Sequence, residues 1–175
     1  MKTVTGRVTI GQGGDASEAA GAAHFDTLEA FLSALEPIGE QYDVLIQAFD
    51  ARYIAGEAHL RSALDHAKRS MERGENVADD LAVEVLLYAA GRRQIDRAME
   101  LGLAPGEQRV IVLLDGDRES EAADAVRDRI EAGPVDPDAE LIAEFFDITE
   151  VERKVTTGTL EDLVCERVAL LDVEK

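Results

Sequence analysis

The chain has 175 residues, 46% apolar and 31% charged, which suits one compact domain with a single core. Thirty-seven acidic side chains stand against eighteen basic ones, a net charge of −19, so most of the surface repels anions. No apolar run approaches the roughly 20 residues of a membrane span, and the lone Cys165 excludes an internal disulfide or a multi-thiolate metal site.

Only four basic residues are lysine (Lys2, Lys68, Lys154 and Lys175). Such a surface fits halophilic adaptation, because a Debye length of roughly 3 Å at 1 M salt makes the self-repulsion tolerable. Residues 1–10 alternate where a signal peptide would be continuously apolar, and a soluble, cytoplasmic protein is expected.

In chain order, Thr3, Thr5, Arg7 and Thr9 alternate with Val4, Gly6, Val8 and Ile10, which predicts a half-buried first strand. Gly11 to Asp15 ends it, and residues 11–25, rich in small side chains, are expected to form a loop insertion. Asp26 is placed to cap a helix carrying Leu28, Phe31, Leu32 and Leu35 on one face, with Glu29 three residues on and Pro37 and Gly39 closing it. Residues 43–49 and 108–114 are near-continuous apolar runs, read as strands covered on both faces.

Between them fall three predicted helices, 56–73, 78–90 and 92–101. Glu84 is the one charge between Leu81 and Ala90, so the second of these is buried on most sides. Gly91 then permits a tight turn, and Arg92 and Arg93 follow at once. Beyond the third strand, 119–132, 138–146 and 160–171 show helical periodicity. The result is an α/β (α+β) fold, several helices packed on a small mixed sheet, in a single domain over 1–175.

Charge is unevenly distributed. Residues 52–97 hold eight basic and eight acidic side chains, so all the net charge lies outside them. Arg61, Lys68 and Arg69 share roughly one side of their helix. They form either a solvated face with pairs such as Asp65 with Arg69, or a surface that touches phosphate.

No catalytic constellation accompanies them. His59 and His66 lie seven apart, not at the four-residue spacing of a zinc pair, and His24 stands alone. The glycines at 11, 13 and 14 lack dinucleotide-loop spacing and precede Asp15 and Glu18, which would repel a pyrophosphate. Cys165, on an apolar-periodic segment, reads as a structural thiol. No metal ligand or cofactor is expected.

Three blocks carry a family resemblance: F-D-A-R-Y-I-A-G-E-A-H-L-R-S-A-L-D-H-A (49–67), V-E-V-L-L-Y-A-A-G-R-R-Q-I-D-R-A-M-E-L-G-L (83–103) and E-D-L-V-C-E-R-V-A-L-L-D-V (161–173). In this order they closely resemble the small kinase-binding subunit of the KEOPS complex, the TPRKB-like family. The resemblance implies a protein that is not an enzyme. It implies docking on the kinase-like ATPase subunit, which sits on the threonylcarbamoyl transferase subunit. Archaeal members are implicated in holding the 3′ end of tRNA while the assembly makes threonylcarbamoyl-adenosine.

On that reading Arg92 and Arg93 would contact phosphate, with Arg61, Lys68, Arg69 and Arg97 around them and Gly91 letting the RNA backbone approach. Val164, Val168 and Leu171 form a stripe that is either part of the kinase-docking face or core. A second reading stays open, a small-molecule-binding or hydrolytic domain using Asp115 and Asp117 at a strand end.

Overall fold

The computed structural model describes residues 1–11 and 23–173. Its elements are β1 (Lys2–Ile10), β2 (His24–Phe25), α1 (Leu28–Tyr42), β3 (Leu45–Asp50), α2 (Glu57–Arg73), α3 (Leu81–Ala90), α4 (Ile95–Ala98), β4 (Gly106–Asp115), α5 (Glu119–Arg127), β5 (Glu131–Ala132), α6 (Ala139–Phe145), α7 (Glu150–Val155) and α8 (Leu160–Leu170). Short 3-10 turns occupy Ala51–Tyr53 and Met99–Leu101. This is the expected mixture of helices and a small mixed sheet. The elements fall into two compact units, Met1–Ala51 with Gly102–Val135, and Arg52–Leu101 with Asp136–Lys175.

The first unit holds the sheet, ordered β2-β1-β4-β3, with β5 also paired to β1. β1 runs antiparallel to β4, from Lys2 opposite Leu114 to Ile10 opposite Gly106, and β2 lies parallel to β1. Val4, Val8 and Ile10 alternate inward as the period of two predicts. They meet Val110, Val112 and Leu114 of β4, Phe31 and Leu35 of α1, and Val126 of α5 in one core. Each such side chain, fully buried, contributes about 1.5–3 kcal/mol.

Several boundaries depart from the sequence expectation for local reasons. Thr27, not Asp26, caps α1, its Oγ1 accepting from the Ala30 N–H at 3.1 Å. The helix runs through Pro37 to Tyr42 because Leu35 and Ile38 bury on either side of the proline. Pro37 and Ser33 face solvent, where water can serve the carbonyl the proline leaves unpaired. Residues 12–22 of the loop expected over 11–25 lie outside the described residues, and its last two residues form β2.

The helix expected to reach 132 stops at Arg127, and Glu131 and Ala132 pair instead with Arg7 and Gly6. A Cβ at position 6 would collide with the Glu131 carbonyl oxygen, so glycine is what admits β5 there. Burial on both faces is confined to Val112, Leu113 and Leu114 of β4 and to Ala48, Phe49 and Asp50 of β3.

The second unit is helical. α2 buries His59, Leu60, Ala63, Leu64, Ala67 and Ser70, a stripe at three- and four-residue spacing, and packs against α3 and α8. α3 is buried from Glu84 to Ala90, as its lack of charge predicted. Glu84 is tolerated there because its Oε2 accepts the N–H groups of Val77 and Ala78 at 3.0 and 2.9 Å. Asp80 caps α3 through the N–H groups of Ala82 and Val83, so the helix starts at Leu81 and not at 78. The helix expected over 92–101 begins only at Ile95. Sequence periodicity missed the six-residue α7, whose cue is the reciprocal capping box of Thr149 and Glu152.

Candidate functional site

Helix α3 ends in a Schellman turn, the arrangement in which a left-handed residue closes the last carbonyls of a helix. Gly91 has φ 58°, its N–H donates to the Tyr88 carbonyl at 2.9 Å, and the Arg92 N–H donates to the Leu87 carbonyl at 3.1 Å. A Cβ on Gly91 would lie 3.4 Å from the Arg167 carbonyl oxygen of α8, so α8 backs the turn closely.

From this base Arg92 folds back on its own unit. Its Nη2 donates to the Phe145 carbonyl and to the Asp147 carboxylate, both at 2.9 Å, and the guanidinium lies 5.7 Å from the centre of the Phe145 ring. Arg167 does the same one residue on: Nε donates to the Phe146 carbonyl at 3.3 Å and Nη2 to Glu152 at 2.6 Å. Two guanidiniums therefore serve successive carbonyls at the C-terminal end of α6, where a helix leaves acceptors unpaired. The Arg167 hydrogen bond holds the Glu152 carboxyl below its ordinary range. Asp147 itself has φ 53°, a left-handed conformation that Asp and Asn adopt more readily than most residues.

The remaining expected phosphate contacts are placed unequally. Arg93 is half-buried, and its Nε is buried with no hydrogen-bond partner, an unmet donor beside the turn. Arg97 pairs with Glu100 at 3.1 Å and Arg61 with Glu57 at 2.6 Å, exposed pairs of the kind that contribute at most about 1 kcal/mol. Lys68 is half-buried and engaged. Arg69 is exposed, and its expected pairing with Asp65 is not formed.

His59, in the first turn of α2, meets the Ala89 carbonyl at 2.7 Å, so that end of α2 adjoins the Gly91 turn. Arg61 and Arg69 are two helical turns apart, about 12 Å along the axis. The seven candidates thus do not form one cluster: Gly91, Arg92, Arg93 and Arg97 gather at the turn, while Lys68 and Arg69 stand further along α2.

The stripe of Val164, Val168 and Leu171 is core. The two valines are 0% exposed and Leu171 4%, because α8 turns this side inward where it packs against α2. Of the two sequence readings of this stripe, kinase-docking face or core, its burial fits the core. Exposed large apolar side chains of the unit lie elsewhere, at Val77, Ile95, Met99, Val151, Val155, Leu170 and Val173.

Two histidines have structural partners. His59 Nδ1 accepts the Ala55 N–H at 3.2 Å and its Nε2–H donates to Ala89, which requires the neutral ring; burial pushes its pKa down to about 4. His66 Nδ1 lies 2.6 Å from Asp172 Oδ2 and its ring stacks on Tyr88, whose hydroxyl donates to the other oxygen of Asp172 at 2.5 Å. Asp115 engages the Met1 ammonium at 3.3 Å, and Asp117 is exposed. Among the described residues no group of three or more His, Cys, Asp or Glu is placed to hold a metal ion.

The sequence reading missed Asp147, Glu100 and Glu144. With Tyr53, Arg97, Leu141 and Phe145 they line a concavity of about 440 Å³ beside the turn. No local signal marks Asp147, which is 55 residues from Arg92 in the chain, whereas Glu100 follows Arg97 at the three-residue spacing of a helical ion pair.

No helix among the described residues is long and apolar enough to cross a membrane. A comparison with curated proteins finds no match. The family model described as kinase binding protein CGI-121 matches residues 28–172, and the chain belongs to that family.

Proposed function

We propose that this kinase-binding chain is the small, non-catalytic subunit of a KEOPS complex. It docks on the kinase-like ATPase subunit, through it reaches the threonylcarbamoyl transferase subunit, and helps seat the 3′ end of tRNA for threonylcarbamoyl-adenosine modification. The observation that carries the reading is the family match over 28–172, whose span contains the Gly91 turn. The turn supports the RNA half: a rigid helix end places the guanidinium groups of Arg92, Arg93 and Arg97 close together in the chain, with Arg97 exposed. Exposed Leu170, Val173, Val151 and Val155 replace the buried stripe as candidates for the docking face.

The test is reconstitution with the ATPase subunit and tRNA in molar potassium chloride, comparing intact tRNA with tRNA lacking its 3′ terminal nucleotides. The intact RNA should bind tighter, and Arg93→Ala should weaken it about three- to tenfold while leaving ATPase docking unchanged. Equal binding of the two RNAs removes the 3′-end role. Arg93 is the informative substitution because Arg92 also holds the end of α6.

A further inference from the structure

Two of the arginines at the turn are already occupied. Arg92 carries Asp147 at 2.9 Å and Arg97 carries Glu100 at 3.1 Å, while Glu144 lines the same concavity. Resting on the RNA reading above, we propose that Asp147 and Glu100 set the RNA specificity of the turn by competing with phosphate for Arg92 and Arg97.

The geometry suits competition better than permanent pairing. The Asp147 side chain is 81% exposed and that of Glu100 42%, so either carboxylate can swing into water when a phosphate arrives. Arg92 stays in place regardless, because its second bond, to the Phe145 carbonyl, does not depend on Asp147. A phosphate approaching Arg92 must displace one carboxylate and then sit beside it, so a polyanion with no other contact gains little. A ligand that also satisfies Arg93 and the surface around the turn gains enough to displace the carboxylates.

Salt dependence follows. Ordinary nucleic-acid binding weakens steeply as salt rises because each counterion released into a more concentrated solution gains less entropy. Here the opposing term, repulsion from the displaced carboxylates and from a chain of net charge −19, is screened by the same salt. Affinity for tRNA should therefore be flat or improve between about 0.15 M and about 2 M potassium chloride.

Asp147→Asn tests this without disturbing the turn. Asparagine accepts the same left-handed backbone and keeps a carbonyl oxygen for Arg92 to donate to. Removing one charge about 4 Å from the phosphate should tighten tRNA binding about fivefold at 0.15 M salt, shrinking to less than about twofold at 2 M. Heparin, a polyanion without RNA shape, should gain at least as much, so discrimination falls. Glu100→Gln, at an independent ion pair, should act in the same direction.

If both variants keep the wild-type melting temperature and the wild-type tRNA affinity at low salt, the competition is refuted. If shortened tRNA and Arg93→Ala behave as expected while these two variants do not, this inference alone falls. Absence of tRNA binding by every form, with and without the ATPase subunit, overturns the RNA reading and this inference together.

Discussion

The sheet unit and the helical unit treat apolar surface differently. Among the described residues, the sheet unit exposes one large apolar side chain, Leu32, whereas the helical unit exposes seven. The helical unit also holds twelve of the eighteen basic residues, yet with twenty-one of the thirty-seven acidic ones it still carries about half of the net negative charge. Contiguous exposed apolar area marks interaction sites in many proteins, and its concentration in one unit is why the proposed recognition surface is sought on the helices. The sheet unit closes its own core through the alternating residues of β1 and the inner faces of α1 and α5.

The sharpest way to break this contrast is to charge a helix on its inner and outer sides. Val164→Asp, at a position that is 0% exposed, should cost about 3–5 kcal/mol in a denaturant titration. An unchanged midpoint would return that stripe to the surface. His59 comes next. Free imidazole protonates below about 6.5, but the folded ring does so only near 4, so the unfolded state takes up the proton first as pH falls. Stability should be level above pH 6.5 and then drop by about 1.4 kcal/mol per pH unit down to pH 4, roughly 3 kcal/mol in all. His59→Gln should flatten that part of the curve, and an equally steep curve in the variant would assign the effect to other groups.

In the sheet unit, Gly6→Ala should cost about 1–3 kcal/mol and expose the amides of Glu131 and Ala132 to hydrogen exchange, because the new methyl group meets the Glu131 carbonyl. Protection that survives the substitution would show that β1 can shift to admit it. The smallest stability effect belongs to the outer face. Val151→Asp with Val155→Asp, at 68% and 75% exposure, should move stability by no more than about 0.5 kcal/mol. The same pair should weaken capture by the ATPase subunit at least about tenfold if α7 belongs to the docking face, and undiminished capture would move that face to Leu170 and Val173.

What could be read from the sequence was what a single element carries within itself. The charge-poor run from Leu81 to Ala90 buries because it has no polar side to show water, and the glycine after it, read as permitting a tight turn, makes one in the left-handed conformation. The alternation of β1 was visible for the same reason. Other features depend on distant neighbours. Glu131 and Ala132 became a strand because Gly6, more than 120 residues earlier, left room for them. Arg92 could be seen to follow the helix, but its turning towards Phe145 and Asp147 depends on where α6 ends, which no spacing near Arg92 encodes. The stripe on α8 illustrates a third limit: periodicity identifies an apolar side but does not say whether the chain itself or a partner covers it.

The bond from Tyr88 to Asp172 supplies a built-in optical probe. The chain has no tryptophan and three tyrosines, and the Tyr88 hydroxyl, buried and donating to a carboxylate, has its pKa pushed up to about 12. Its ionisation should therefore appear late in an alkaline absorbance titration and move earlier once α8 separates from α3. Following that late step while an ATPase subunit or an RNA is added would report, without any label, whether recognition leaves the closing contact of the helical unit in place or pulls it open.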